Sequence, residues 1–174
     1  MLYRTLLLCL TLCCWQLSAN EDIYKYKLGA GDKINIKVYG EADLSLTVLL
    51  DTSGSIDYPY LGEINVVDFT PAQIKQAIYQ GLKGDYLINP KVMVSIAQFR
   101  QFYIKGEVNK PGGYAFQPGL TVDKAIALAG GFTERAAKQS IMLSSNKSGD
   151  TARKVTLNDD VHPDNILNIE QSFF

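Results

Sequence analysis

Cysteine and tryptophan are nearly missing from this 174-residue chain. The three cysteines (Cys9, Cys13, Cys14) and the single tryptophan, Trp15, all lie within the first fifteen residues. Beyond them no thiol is left to act as a nucleophile, disulfide partner or metal ligand. Histidine is almost as scarce. His162 is the only one, with no serine motif beside it, so a hydrolase triad has no obvious base. Positive charge is not in excess, with 17 Lys and Arg against 18 Asp and Glu and a pI near 5.8, which argues against a nucleic-acid partner. No apolar run reaches the roughly 20 residues that a membrane-spanning helix needs. What remains is an ordinary globular composition, 47% apolar, sufficient for one large domain or two small ones. Ten tyrosines and fourteen glycines against three methionines favour strands and tight turns.

The first nineteen residues form a separate segment. Arg4 precedes an apolar run from Leu6 to Trp15, and Ser18-Ala19 supplies small residues at the break. One positive charge, about ten apolar residues and a small-residue break make a secretory signal peptide, expected to end at Ala19. A buried N-terminal helix fits less well, because the run shows no amphipathic period. A lipid anchor on Cys13 or Cys14 also fits poorly, since Leu12 or Cys13 stands where that cleavage prefers a small residue. Loss of Arg4 with the signal leaves 16 basic and 18 acidic residues, net −2. An exported chain without disulfides must rest on core burial, which about 155 residues can supply.

Downstream, the pattern predicts an α+β protein of two small sheet-plus-helix units, residues 20–99 and 100–174. After a turn at Gly29–Asp32, Ile34, Ile36 and Val38 alternate with polar residues as a half-buried strand. Leu44 to Leu50 alternate likewise, and Ile56 and Tyr58 are expected to form a hairpin with them around Asp51-Thr52-Ser53-Gly54. Ile64 to Val66 make a short strand after Pro59–Gly62. Thr70-Pro71-Ala72-Gln73 is a capping box with proline at the first helical position. Ile74, Ala77, Ile78 and Leu82 fall on that helix's buried face, and Gly84 ends it. Val92, Val94 and Ile96 then close the first unit near Phe99. The second unit begins with a strand from Phe102 to Val108, a turn at Asn109–Gly113 and a return strand from Tyr114 to Phe116. Thr121 caps a second helix, with Val122, Ala125, Ile126 and Ala129 buried and Gly130-Gly131 at its end. Ile141–Ser145 and Val155–Leu157 pair around Asn146–Asp150, and Ile166–Ile169 is the last strand.

The chemical motifs are sparse. Asn158–Asp164 gathers acids around His162, but without the ordered ligand spacing of a calcium loop or zinc helix it reads as a polar turn, and no metal is expected. Asp51-Thr52-Ser53-Gly54 resembles the loop of aspartic proteases, yet it sits between strands where Asp and Gly are what a turn requires. No two acids are marked as a glycosidase pair, and Gly29-Ala30-Gly31 lacks the Lys-Ser of a phosphate loop. No enzyme and no cofactor is expected.

The punctuation as a whole resembles a known family. Tyr26-Lys27-Leu28-Gly29-Ala30-Gly31-Asp32, Gly54 to Gly62 with Pro59, Thr70-Pro71, and Tyr86-Leu87-Ile88-Asn89-Pro90-Lys91-Val92 are similar to the polysaccharide biosynthesis/export family. Gly106-Glu107-Val108-Asn109-Lys110-Pro111-Gly112-Gly113-Tyr114 and Ala129-Gly130-Gly131-Phe132-Thr133 resemble the soluble-ligand-binding (SLBB) β-grasp domain that follows it. The resemblance implies a non-catalytic component for exporting capsular polysaccharide or exopolysaccharide, periplasmic and associated with the outer membrane. Its implied partners are the polysaccharide, further copies of itself in a ring, and an inner-membrane chain-length regulator or co-polymerase. The family often carries Pro-Gly-Asp near its end. Here Pro163-Asp164-Asn165 stands instead, with Asn165 expected in the left-handed turn. The sequence reaches Phe173-Phe174 without further β-grasp repeats or a pore-forming helix, so a separate outer-membrane β-barrel is expected as a partner. Gly31, Asp32, Gly54, Pro59, Gly62, Gly106, Pro111, Gly112, Gly130 and Gly131 are expected to shape turns, and Glu107 and Tyr114 to face glycan. Two other readings remain: a monomeric periplasmic glycan- or ligand-binding module, and a glycan-processing enzyme.

Overall fold

The computed structural model describes residues 26–145 and 151–172. The expected signal peptide, with its cysteines and Trp15, and the Asn146–Asp150 turn lie outside the described residues. The chain is a mixed α+β protein whose two cores share no residue.

In the first unit, β1 (Lys33–Val38) is the centre of an antiparallel sheet between β2 (Glu41–Leu49) and β5 (Val92–Gln98). Ile34, Ile36 and Val38 alternate into the core as their period requires. β3 (Ser55–Tyr58) pairs with β4 (Gly62–Asn65), and not with β2. The expected β2–β3 hairpin is therefore corrected. Leu50 still exchanges backbone bonds with Gly31 and Asp32, extending the β1–β2 ladder, whereas the Gly54 carbonyl already accepts from Val66 and Val67. Asp51–Ser53 thus connects two different ladders. Asp51 itself is exposed and accepts from the Ser53 amide and hydroxyl, bonds that hold its carboxyl below the usual range.

Helix α1 (Pro71–Leu82) starts with the expected capping box. The Thr70 hydroxyl accepts from the Gln73 amide, and the Gln73 side chain accepts from the Thr70 amide. Ile74, Ile78 and Leu82, spaced four apart, are buried; Ala77 is exposed, one position off that line. Each of the three stabilises the unit by about 1.5–3 kcal/mol through apolar burial. Gly84, at φ 97°, carries the chain out of the helix beyond the Lys83 cap.

The second unit is a five-stranded sheet in the order β7-β6-β10-β8-β9, formed by β6 (Gln101–Gly106), β7 (Gly112–Ala115), β8 (Ala136–Ser145), β9 (Arg153–Val155) and β10 (Asn165–Gln171). Only β6 and β10 run parallel. Helix α2 (Val122–Leu128) is capped by Thr121 and buries Val122, Ala125 and Ile126 among the inward residues of the sheet. The first strand stops at Gly106, short of the expected Val108. There the backbone turns at φ 90° directly under Ile169, and a β-carbon would come within 2.0 Å of the Ile169 carbonyl oxygen. The turn before β10 also differs from expectation. Asp164 takes the left-handed conformation at φ 65°, while Asn165 is buried at the start of β10 and accepts from the His162 amide. His162 is exposed, and Asp159 bonds to Thr156 and Arg153.

Candidate functional site

The motif turns serve different ends. In the second unit they are stitched together: the Asn109 and Lys110 amides donate to the carbonyls of Gly131 and Ala129, and the Asn109 side chain donates to Gly130. Val108 and Phe132 add a single antiparallel bridge. The Gly106–Gly113 segment, with Pro111 and Gly112, is thereby fastened to the Gly130–Gly131 end of α2. Glu107 and Tyr114 both spend their polar atoms inside this arrangement. The Thr133 hydroxyl donates to the Glu107 carboxylate, and the Tyr114 hydroxyl donates to the Lys110 carbonyl while its ring packs 5.9 Å from Phe102. Both residues are half-buried.

The first unit presents a different surface. The β3–β4 hairpin turns through Pro59-Tyr60-Leu61, with Tyr60 in the left-handed region at φ 66° and Gly62 at the same angle. A bulky residue at positive φ is a rare, costly conformation that its surroundings must enforce. Leu61 supplies the anchor by packing against Gly81 of α1, where a β-carbon would lie 2.8 Å from the Leu61 methyl carbons. Glycine inside a helix costs about 1 kcal/mol relative to alanine. That cost opens the seat for Leu61, and Tyr60 is turned outward, 66% exposed.

Tyr86, in the loop after α1, stacks on Tyr60 with ring centroids 4.8 Å apart and planes at 27°. Its hydroxyl reaches the Tyr60 carbonyl at 3.4 Å. Ile88, two residues further along the same loop, is 93% exposed. The pair leaves the outer face of each ring open, a prepositioned aromatic surface that can stack on sugar rings. The arrangement offers binding, and the Tyr86 hydroxyl meets a main-chain carbonyl rather than a catalytic base. Both tyrosines occur in the motif segments, but 26 residues apart with no periodicity linking them, so the pair is visible only in the fold.

Gly31 and Asp32 form the turn before β1, and the Asp32 carboxylate is fully buried against Arg100, in the connection between the two units. Among the described residues no group of three or more His, Cys, Asp or Glu is placed to hold a metal ion.

Comparison with known proteins follows the same division. The sequence profile of the polysaccharide biosynthesis/export proteins matches residues 20–97, and that of the SLBB domain matches residues 101–155. The chain belongs to the polysaccharide biosynthesis/export family. It is 31% identical to the exopolysaccharide production protein ExoF of Rhizobium meliloti over 75% of this chain and 34% of that protein. It is 27% identical to the polysialic acid transport protein KpsD of Escherichia coli over 58% of this chain and 18% of that protein. The EPS I polysaccharide export outer membrane protein EpsA of Ralstonia nicotianae is 28% identical over 58% of this chain and 27% of its own length. The chain thus spans about a third or less of these relatives. No helix among the described residues is long and apolar enough to cross a membrane.

Proposed function

We propose that this protein is a non-catalytic component of a capsular or exopolysaccharide export machine, and that the Tyr60–Tyr86 pair is its contact with the passing polymer. The observation that carries the reading is this exposed, stacked pair on a hairpin tip locked by Leu61 and Gly81, in a chain of an export family. Transport calls for many weak, sequential contacts with a hydrated chain, and shallow aromatic faces supply them. The protein works in the periplasm at the outer membrane as a homo-oligomeric ring or collar. It receives polymer from an inner-membrane chain-length regulator and passes it to a separate outer-membrane β-barrel. Crossing about 30 Å of hydrocarbon requires helices or a closed barrel, and the described strands form open sheets. Glu107 and Tyr114 are the weaker glycan candidates, because their polar atoms are already engaged within the second unit.

The test is titration of the purified protein with fragments of the host's own exopolysaccharide, followed by NMR. Ring signals of Tyr60 and Tyr86 should shift, and Tyr60→Ala should abolish the response without changing the spectrum of the second unit. A response confined to the Glu107 and Tyr114 region would move the contact there. A protein that stays monomeric at all concentrations and binds one small glycan tightly would favour the binding-module reading instead.

A further inference from the structure

The two units are joined by Phe99 and Arg100 alone, between β5 and β6. A connection that short limits how far the units separate, but does not set their angle. Arg100 is placed to set it. Its amide donates to one Asp32 oxygen at 2.8 Å, and its Nη1 donates to the other at 2.8 Å and to the Tyr26 hydroxyl at 2.9 Å. The Asp32 carboxylate also accepts from the Gly29 amide and from the Tyr26 hydroxyl. On the opposite side of the guanidinium, Nε donates to Asp164 of the second unit at 2.5 Å. Gly29 leaves room for the fork, since a β-carbon there would lie 2.6 Å from Nη1.

Burial is uneven across the cluster. The Asp32 side chain is 0% exposed, Arg100 15% and Asp164 33%. Burial opposes the guanidinium charge, but Tyr26, Asp32 and Asp164 outweigh it, so Arg100 stays protonated. Burial, followed by the bond to Asp32, pushes the Tyr26 phenol far above its ordinary range. An aromatic chain runs alongside: Phe99 meets Tyr26 and Phe116 edge-on, with centroids 5.0 and 5.3 Å apart.

We infer that Arg100 is a latch between the two units, with a permanent half on Asp32 and a releasable half on Asp164. The inner half is part of the first core, because removing Arg100 would leave a buried carboxylate short of its partners. The outer half rests on a carboxylate one-third open to water, so it breaks without opening either core. The latched state makes the chain one rigid body. The released state is a hinge at Phe99–Arg100.

Residual dipolar couplings of the full chain test this. In the parent protein, couplings from residues 26–98 and 101–172 should fit a single alignment tensor. Asp164→Gly keeps the left-handed turn, since glycine favours positive φ, and removes only the outer anchor. It should need two tensors while the amide shifts within both units stay in place. If Asp164→Gly unfolds the second unit, Arg100→Lys, whose single ammonium cannot hold both carboxylates as the fork does, should give the two-tensor result. A single tensor in either folded variant, or two in the parent, would overturn the latch.

Discussion

Replacing Gly106 by alanine puts a methyl group where the backbone of β10 already runs. Two penalties add. The residue sits at φ 90°, and a left-handed backbone costs a non-glycine residue about 1–2 kcal/mol. The new carbon would also lie 2.0 Å from the Ile169 carbonyl oxygen, which is main chain held in the parallel β6–β10 pairing. Relief requires β6 and β10 to part locally, stretching the Glu107 amide bond to that same carbonyl. Overpacking of this kind costs about 1–3 kcal/mol, so the total expected for Gly106→Ala is about 2–5 kcal/mol. Gly131 is the control. It lies at φ 85°, and a β-carbon there would meet nothing within 4 Å beyond its chain neighbours. Gly131→Ala should therefore lose only the backbone share, about 1–2 kcal/mol. Urea unfolding followed by NMR peak intensities of β8 and β10 amides reads the second unit separately from the first. Equal destabilisation by the two substitutions would refute the steric part of this reasoning.

Two further expectations concern the first unit and the leader. Tyr58 is buried with its hydroxyl donating to the Leu44 carbonyl at 2.7 Å, and burial raises its pKa above the ordinary 10.0. A raised pKa means the folded state favours the neutral phenol, so this stability is complete below pH 10 and lost as pH rises through the folded-state value. Tyr58→Phe should lower stability at pH 7 by about 1 kcal/mol and flatten the alkaline decline, as measured by urea midpoints between about pH 8 and pH 11. Separately, the expected cleavage after Ala19 would remove Trp15, so the exported form should begin near Asn20 and show no tryptophan emission. An intact mass carrying a lipid at Cys13 or Cys14 would contradict that.

Local chemistry is readable in the sequence wherever it is self-contained. The Thr70–Gln73 capping box, the Thr121 cap and the Gly130-Gly131 helix end depend on residues within a few positions of one another, and all appear in the fold. Pairing is harder. Alternation shows that Leu44–Leu50 is a strand but not which strand it meets, so the turn-like Asp51–Gly54 suggests a hairpin that belongs instead to Tyr58–Gly62. At the β10 turn, Asp164 rather than Asn165 bears the positive φ, because Asn165 is drawn into the strand and the His162 bond. The candidate site is legible only as motifs. Tyr60 and Tyr86 stand in motif segments, but their stacking depends on Leu61 finding Gly81 across the fold. Arg100 carries no local signal, because its partners Tyr26, Asp32 and Asp164 are all more than sixty positions away.

The central claim, that this chain serves the export of a finished polymer, is tested most directly by deleting its gene and measuring surface and intracellular polysaccharide in the same cells. Surface polymer should fall to background while polymer is still made and retained inside. Re-expression of the parent protein should restore the surface layer, and Tyr60→Ala should restore it only in part despite normal abundance. An unchanged surface layer, or loss of polymer both inside and outside, would contradict the account.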